Sequence, residues 1–361
     1  EARLGNAGWP LAAPELLGAK KLGFSDKAIG RLMQQPEEVV RALRTGYSLR
    51  PHIAQIDTLA AEFPAQTNYL YSTYHASVSD SIPSKRKKIM VLGSGAYRIG
   101  SSVEFDWCCV HAVRAAAESG YETIMVNYNP ETVSTDYDVC DKLLFDEISL
   151  ESVLDFYQLE QPEGIIVSVG GQLPNNLALE LSKAGVKVLG TSAEDIDRAE
   201  DRGKFSALLD ELGIDQPLWA QASDQRDVDP LVLRLGGFPV LVRPSYVLSG
   251  AAMSVAHEPN ELKRILTLAK EISPLHPVVV SKFETHSREI EIDAVADEGE
   301  MILWSISEHI EDAGVHSGDA TLVLPPQTLY ISTIRRIRQI AAQLAKALRI
   351  TGPFNMQFLA R

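Results

Sequence analysis

The densest group of chemically active side chains in this sequence lies between Glu308 and Asp319. Within twelve residues it carries four carboxylates, two histidines and two glycines. Its apolar residues follow neither the helical nor the alternating period, so the sequence predicts a loop with exposed polar groups. Glycines in such a loop let a ligand approach the backbone closely, which a purely structural loop rarely requires. The block therefore indicates a ligand-binding loop.

A second charged residue stands at the end of a predicted strand. Arg243 closes the run Pro239–Pro244 and precedes a loop of small residues, Ser249–Ala252. Loops of this kind can close over nucleotide phosphates while an arginine on a rigid strand meets the charge. Considered alone, Arg243 is also consistent with an ordinary surface salt bridge.

Four carboxylates follow further along the same region. Lys282 ends another predicted strand, and Glu284 follows at a spacing suited to an adenine amino group and a phosphate. The alternative for this pair is a solvated face. Glu289, Glu291 and Asp293 share one face of a strand, which is self-repelling without a metal, a cationic substrate or arginines. Glu289 could instead hold a ribose hydroxyl, because carboxylates accept such hydrogen bonds well.

The chain that positions these residues has 361 residues, enough for two or three domains with their own cores. Its formal net charge of −14 argues against non-specific binding to nucleic acid or anionic membranes, although a local arginine cluster can still bind phosphate. No apolar run approaches a membrane span. Cys108, Cys109 and Cys140 fit neither a zinc pattern nor a closed set of disulfides, which favours a reducing compartment. The start at Glu1, without a signal or transit segment, suggests a processed product or an excised piece.

The predicted elements form three domains, and the fold class is mixed α/β and α+β. Residues 1–76 are predicted to be a helical domain, helical through residue 70, followed by a polar linker at 77–87. Residues 88–200 alternate continuous apolar strands with helices, which predicts a parallel sheet covered on both faces. Residues 201–361 combine helices with strands that alternate apolar and charged residues.

The first turn of the parallel sheet resembles a dinucleotide-binding turn only in part. Strand Lys88–Leu92 leads directly into glycines spaced GxGxxxxG, whereas the dinucleotide fingerprint is GxGxxG. Asn127 stands where an acidic residue would end the second strand. A Rossmann-like sheet without a dinucleotide is therefore favoured over an NAD-dependent dehydrogenase.

Several short blocks are far more specific than these general patterns. They are Gly93–Gly100 followed by Glu104–Asp106, Asn129–Asp138, Gly170–Gln172 with Asn175–Asn176, Asp197–Arg202, and Arg243–Leu248. In order and spacing, residues 88–361 resemble the second synthetase half of carbamoyl phosphate synthetase, an ATP-grasp enzyme, in its eukaryotic form. Residues 10–76 resemble the end of the helical oligomerisation domain that precedes that half. The Glu308–Asp319 block resembles its nucleotide-contacting loop.

This resemblance implies an ATP-dependent ligase that phosphorylates carbamate to carbamoyl phosphate for arginine, urea or pyrimidine synthesis. The sheet would be a pre-ATP-grasp domain, and residues 201–361 a truncated ATP-grasp domain. The implied ATP contacts are Arg202, Arg243, Lys282, Glu284, Glu289, Gly314, Val315, His316 and Ser317. Of these, Arg243 and His316 would be catalytic, and Arg202 and Arg243 would neutralise phosphate charge.

The resemblance also implies cation sites and a path for carbamate. Gln357 would bind Mg²⁺ or Mn²⁺, and His309 and Asp312 would help to bind a monovalent cation such as K⁺. Glu104 and Glu131 would line the passage for carbamate, although ordinary carboxylates at a helix start and a turn are the alternative.

The implied partners are a glutaminase subunit or domain, the first synthetase half, and the substrates ATP, bicarbonate, ammonia and carbamate. Neither nucleic acid nor a membrane is among them. The parent protein would be an oligomer in the cytoplasm or the mitochondrial matrix.

The sequence departs from the family after Gln357. The family continues with a strand that carries a metal-binding glutamate, an asparagine and an arginine, whereas this sequence stops at Arg361. Because Mg²⁺ prefers near-octahedral oxygen ligands, Gln357 alone makes a poor site. We therefore expect the isolated chain to bind ATP weakly or not at all, without turnover. One alternative is a non-catalytic assembly module with a vestigial ATP site, and another is a biotin-type carboxylase, which the Asn129–Asp138 block disfavours.

Overall fold

The computed structural model describes residues 4, 8–97, 103–222, 228–244, 253–272, 278–313 and 320–360. The chain divides into two compact units, one comprising residues 1–97 and 102–187, the other residues 98–101 and 188–361. Within the described ranges, no helix is long and apolar enough to cross a membrane.

The first unit begins with three short helices, α1 (Ala13–Lys21), α2 (Asp26–Met33) and α3 (Glu37–Gly46). Ser25 caps α2 as its sequence position predicts, because its hydroxyl accepts a hydrogen bond of 3.0 Å from the backbone N–H of Ala28. Leu11, Leu16, Ile29 and Val40, all without solvent exposure, form the core between the helices.

The parallel sheet contains two strands that the sequence did not indicate. Its strands are β1 (His52–Gln55), β2 (Tyr69–Thr73), β3 (Lys88–Leu92), β4 (Glu122–Val126), β5 (Lys142–Leu144), β6 (Gly164–Ile166) and β7 (Val188–Leu189). Their order is β1-β2-β5-β4-β3-β6-β7, with β1 antiparallel to β2 and β2 parallel to β5. The prediction of helix through residue 70 is therefore wrong for β1 and for the start of β2. Ile53 and Leu70 are buried, and the ring of Tyr69 packs edge-on against Phe145 with 5.3 Å between centroids.

Helices cover this sheet as predicted. They are α4 (Val103–Glu118), α5 (Leu150–Glu160), α6 (Gln172–Asn175) and α7 (Ala178–Lys183). Helix α5 also contacts the helices of the N-terminal segment, and a buried charge network lies at that contact.

Arg44 is the centre of this network and has no solvent exposure. Its Nε donates to both carboxylate oxygens of Asp26 at 3.1 and 3.0 Å, and its Nη2 donates to Asp155 on α5 at 3.2 Å. Lys20 bridges Asp26 at 3.2 Å and also pairs with Glu151 on α5. Because buried charges are tolerated only when paired, the network joins the helices to the sheet in one arrangement.

The second unit contains two four-stranded sheets. Its elements are α8 (Ala193–Glu200), α9 (Arg202–Glu211), β8 (Trp219–Ala222), α10 (Val228–Arg234), β9 (Val240–Arg243), β10 (Ser254–Ala256), α11 (Pro259–Ile272), β11 (Val278–Lys282), β12 (Arg288–Asp297), β13 (Glu300–Asp312), β14 (Leu322–Val323), α12 (Ile331–Ala347) and β15 (Gly352–Ala360). The first sheet has the order β10-β9-β11-β8 and shares an apolar core with α10 and α11. The second has the order β14-β13-β12-β15 and packs on α12.

Alternation along β12 gives the second sheet two different faces. Ile290 and Ile292 are fully buried and contribute to the core with Ile337 and Ala341 of α12. The intervening residues, Glu291 among them, point to the opposite face. The predicted half-buried strand and the amphipathic helix are both confirmed.

Candidate active site

Two arginines of the second unit influence each other electrostatically. Arg243 ends β9, where Val240 and Val242 are fully buried in the core, so that Arg243 projects from the other face of the sheet. Arg202 is the first residue of α9, and Asp201 caps that helix by accepting from the N–H groups of Gly203 and Lys204, both at 2.9 Å.

The environment of Arg243 disfavours its own charge. Burial first, and the positive charge of Arg202 second, lower the pKa of Arg243 to about 10. Its Nε is buried and has no hydrogen-bond partner among the residues that the structure describes. A desolvated guanidinium beside a second cation is unfavourable until an anion joins them. This pair is therefore chemically suited to a phosphate group.

The side chain of Lys282 is committed to the protein backbone. Its Nζ donates to the carbonyl oxygens of Gly237 and Phe238 at 2.9 and 3.1 Å. The ammonium group therefore fixes the turn before β9. Glu284 follows β11 in a half-buried position, so the segment after β11 presents its backbone and this carboxylate together.

The carboxylates of β12 are separated by neutral hydrogen-bond donors from β15. Glu291 pairs in register with Gln357, and Asp293 with Asn355. The carboxylate of Glu291, only 4% exposed, accepts from Gln357 Nε2 at 2.9 Å and lies 3.0 Å from His309 Nε2. Sequence reasoning expected metal, cationic substrate or arginine partners and missed these amides, although strict alternation along β15 was a signal that could have found them.

A group of potential cation ligands lies on the same face. The ligand atoms of Glu289, Glu291 and His309 are all within 4.8 Å of one another. His309 is buried, and its Nδ1 has no hydrogen-bond partner in the described ranges. Gln357 adds an amide through its contact with Glu291. Carboxylate and amide oxygens are donors that Mg²⁺ accepts, so the residues present fit a divalent cation in their chemistry.

The Glu308–Asp319 block is not a single loop. Glu308–Asp312 forms the end of β13, and Asp312 alone of the cation candidates there is exposed. Glu308 is 4% exposed, and its carboxylate accepts from the N–H groups of Gln327 and Thr328 at 2.9 and 3.0 Å. The predicted exposure is thus wrong for Glu308 and for His309, because a following segment covers this strand.

Several predicted residues lie outside the described part of the chain. They are Gly314, Val315, His316 and Ser317 of that block and the small-residue loop Ser249–Ala252.

The two carboxylates expected along the carbamate path lie in the first unit and are exposed. Glu104 is in the first turn of α4, and Glu131 is in the turn after β4. Asp106 of α4, 1% exposed, accepts from the N–H of Ser134 at 3.2 Å and so joins the helix to this turn. Glu104 and Glu131 therefore lie on adjoining segments.

The glycine turn after β3 is packed against its own fold. A Cβ atom on Gly93 would lie 2.6 Å from Cγ of Asn127, and one on Gly95 would lie 2.6 Å from the hydroxyl of Tyr128. Gly95 also has a φ of +71°, and its N–H donates to Asn127 Oδ1 at 3.0 Å. These glycines serve local packing, which accords with the sequence argument against a dinucleotide.

Two family models match the chain consecutively. Residues 85–198 match the carbamoyl phosphate synthase preATP-grasp domain, and residues 201–361 match the ATP-binding domain of the carbamoyl-phosphate synthase L chain. The chain belongs to the carbamoyl phosphate synthase large-chain family. The resemblance inferred from the sequence blocks is confirmed.

Curated relatives agree with this carbamoyl phosphate synthase assignment. The chain is 55% identical over 350 residues to the mitochondrial arginine-specific large chain of Neurospora crassa, covering 97% of this chain and 30% of that protein. It is 54% identical over 347 residues to the multifunctional protein CAD of Squalus acanthias, covering 96% and 15%. The chain thus spans less than a third of the length of either relative.

Solved structures of other enzymes share the fold. Pyruvate carboxylase of Rhizobium etli superposes with a TM-score of 0.58 at 16% identity, over 76% of this chain and 25% of that one. The biotin carboxylase domain of 2-oxoglutarate carboxylase from Hydrogenobacter thermophilus gives 0.58 at 14% identity, over 76% and 61%. Such identities show the fold alone, and they confirm the predicted mixed class.

Proposed function

We propose that this chain provides the ATP-binding, carbamate-phosphorylating half of a carbamoyl phosphate synthase, for arginine or pyrimidine synthesis. The observation that carries the proposal is the pair Arg202 and Arg243, in which a buried guanidinium with an unpartnered Nε lies near a second cation. A triphosphate is an anion that satisfies both groups.

In the proposed reaction, a carbamate oxygen attacks the γ-phosphorus of ATP in line with the departing ADP. Arg202 and Arg243 hold the phosphates and spread the charge that develops on them. The backbone from Lys282 to Glu284 holds the adenine, and Glu289 accepts from a ribose hydroxyl. Since carbamate is short-lived in water, the site must also exclude solvent, a task that we assign to the Gly314–Ser317 segment with His316.

Cations complete the proposed site. Gln357, with the oxygens of Glu291 beside it, would hold Mg²⁺ or Mn²⁺, which neutralises phosphate charge when bound. His309 and Asp312 would take part in a K⁺ site. Glu104 and Glu131 would line the carbamate path from the first synthetase half, which a glutaminase supplies with ammonia.

The reverse reaction tests the proposal without handling carbamate. Full-length protein is supplied with MgADP and carbamoyl phosphate, and ATP is measured with luciferase. We expect Arg243→Gln to lower this rate by about 10²–10³, the usual cost of losing one charge-stabilising donor. Arg234→Gln, an exposed arginine at the end of α10, is the matched control and should leave the rate unchanged.

Two results would count against the proposal. Equal rates for Arg243→Gln and the control would remove the arginine from phosphate binding. No MgATP binding by full-length protein would favour the alternative of a non-catalytic assembly module. For the 361-residue chain alone we expect weak MgATP binding in calorimetry and no turnover.

A further inference from the structure

Helix α12 has a charge composition opposite to that of the chain. Its 17 residues include Arg335, Arg336, Arg338 and Lys346 and no carboxylate, whereas the whole chain has a net charge of −14. In the described part of the chain, none of the three arginines forms an ion pair. Like charges at helical spacings of three and four residues repel, and cations in the first half of a helix oppose its dipole. Folding alone gives no reason for this arrangement.

Two of these arginines line a surface groove. The groove has a volume of about 320 Å³ and is lined by Met301, Arg335, Arg338, Gln339 and Ala342. The guanidinium of Arg338 lies over the ring of Trp304, 4.5 Å from its centroid, and this contact holds the cation beside apolar surface. The lining thus combines apolar surface with two positive charges and no negative charge.

The groove continues along one exposed stripe of the helix. Ile331, Arg335, Arg338 and Ala342 are spaced by four, three and four residues, which puts them on one face. All four are exposed, and Ile331 is 67% exposed. Eleven residues of helix correspond to about 16 Å. An open stripe of this length suits an extended or helical peptide better than a compact small molecule.

This stripe is separate from the candidate active site. The core face of α12 packs with Ile290 and Ile292 of β12, and Glu291 with its partners points from the other face of that strand. The stripe therefore does not depend on the proposed ATP chemistry.

We propose that this groove binds an acidic peptide segment that carries an apolar side chain. The carboxylates of the segment pair with Arg335 and Arg338, and the apolar side chain lies against Met301 and Ala342. Charge complementarity selects the acidic partner, since the groove offers only cations at its rim. The apolar floor adds the requirement for a hydrophobic anchor.

The test uses a fluorescein-labelled twelve-residue peptide of glutamates with two leucines four residues apart, titrated with the 361-residue chain in anisotropy measurements. The variant R335Q/R338Q should bind at least tenfold more weakly. The control R336Q/K346Q makes the same charge change on the same helix but outside the groove lining, and its affinity should stay within threefold. Both variants should keep the wild-type Tm, because all four positions are exposed.

The peptide itself is varied to separate charge from anchoring. Replacing the leucines by serine, or the glutamates by glutamine, should each weaken binding at least fivefold. Equal losses in the two protein variants, or no loss with the serine peptide, would overturn the proposal, because binding would then follow net charge alone. Tighter binding of a single-stranded oligonucleotide with the same dependence on Arg335 and Arg338 would also overturn it in favour of nucleic acid.

Discussion

Replacing Arg243 by glutamine should stabilise the ligand-free chain while removing its response to nucleotide. Burial and the charge of Arg202 lower the pKa of Arg243 to about 10 from 12.5, so the folded state disfavours the protonated form. At 1.36 kcal/mol per pKa unit, the upper limit of this cost is about 3 kcal/mol. Because part of the side chain reaches solvent, screening reduces it to about 1 kcal/mol.

The sign follows from proton binding. Between pH 10 and 12.5 the unfolded chain binds this proton more tightly than the folded chain does, so stability rises with pH there. Below about pH 10 the cost is constant, and neutral pH reports all of it. For a unit of this size, 1 kcal/mol corresponds to about 2–4 °C in Tm, which is the increase expected for Arg243→Gln.

Differential scanning calorimetry of the chain and the variant measures this increase at pH 7.5. The exposed Arg234→Gln is the control with the same charge change, and its Tm should shift by less than about 1 °C. A ligand present at ten times its Kd adds about 1.4 kcal/mol to the stability of the folded state. Millimolar MgATP should therefore raise the Tm of the wild type and the control, and leave Arg243→Gln unchanged. A lower Tm for Arg243→Gln in the absence of ligand would refute the reasoning, since the guanidinium would then hold the fold together.

Three further changes have defined expected outcomes. Arg44→Met should cost about 3–5 kcal/mol in urea unfolding of the first unit, because it leaves Asp26 and two further carboxylates buried without their cation. Gly95→Ala should cost about 1–2 kcal/mol in the same assay or more, because a positive φ and the close approach of Tyr128 both oppose a side chain. Burial alone would raise the pKa of Asp195, but hydrogen bonds from arginines and a serine outweigh it and lower that pKa. The stability from Asp195 is thus full above about pH 4 and lost in more acidic solution, so Asp195→Asn should be destabilising at pH 7 and near neutral at pH 2.5; an equal effect at both pH values would contradict this.

Long, strongly patterned elements were predictable from the sequence. Helix α12 and strands β12 and β15 each bury one face, and that burial writes a period of 3.6 or 2 into the residue order. Strands β1 and β2 were missed because each has only four or five residues and β2 pairs with β5, some seventy positions later. No local pattern records such a distant partner.

The candidate site was predictable in its residue types more than in its contacts. The position of Arg243 at a strand end identified it as an anion ligand, whereas the burial of Glu308 and His309 depends on a segment that covers β13. The contact between Glu291 and Gln357 requires the register of two strands 66 residues apart. Register is set by packing of the opposite face, which single-residue reasoning does not see.

The position of β2 has a consequence for how this protein can be divided. The family model of the sheet domain begins at residue 85, yet the sheet itself is completed by β2, from Tyr69 to Thr73. A shortened protein that starts at the family boundary would expose the hydrogen-bonding edge of β5, and open strand edges promote aggregation between chains. The unit inherited as a recognisable sequence module is therefore smaller than the unit that can fold by itself, and the segment before it acts as a built-in edge protector.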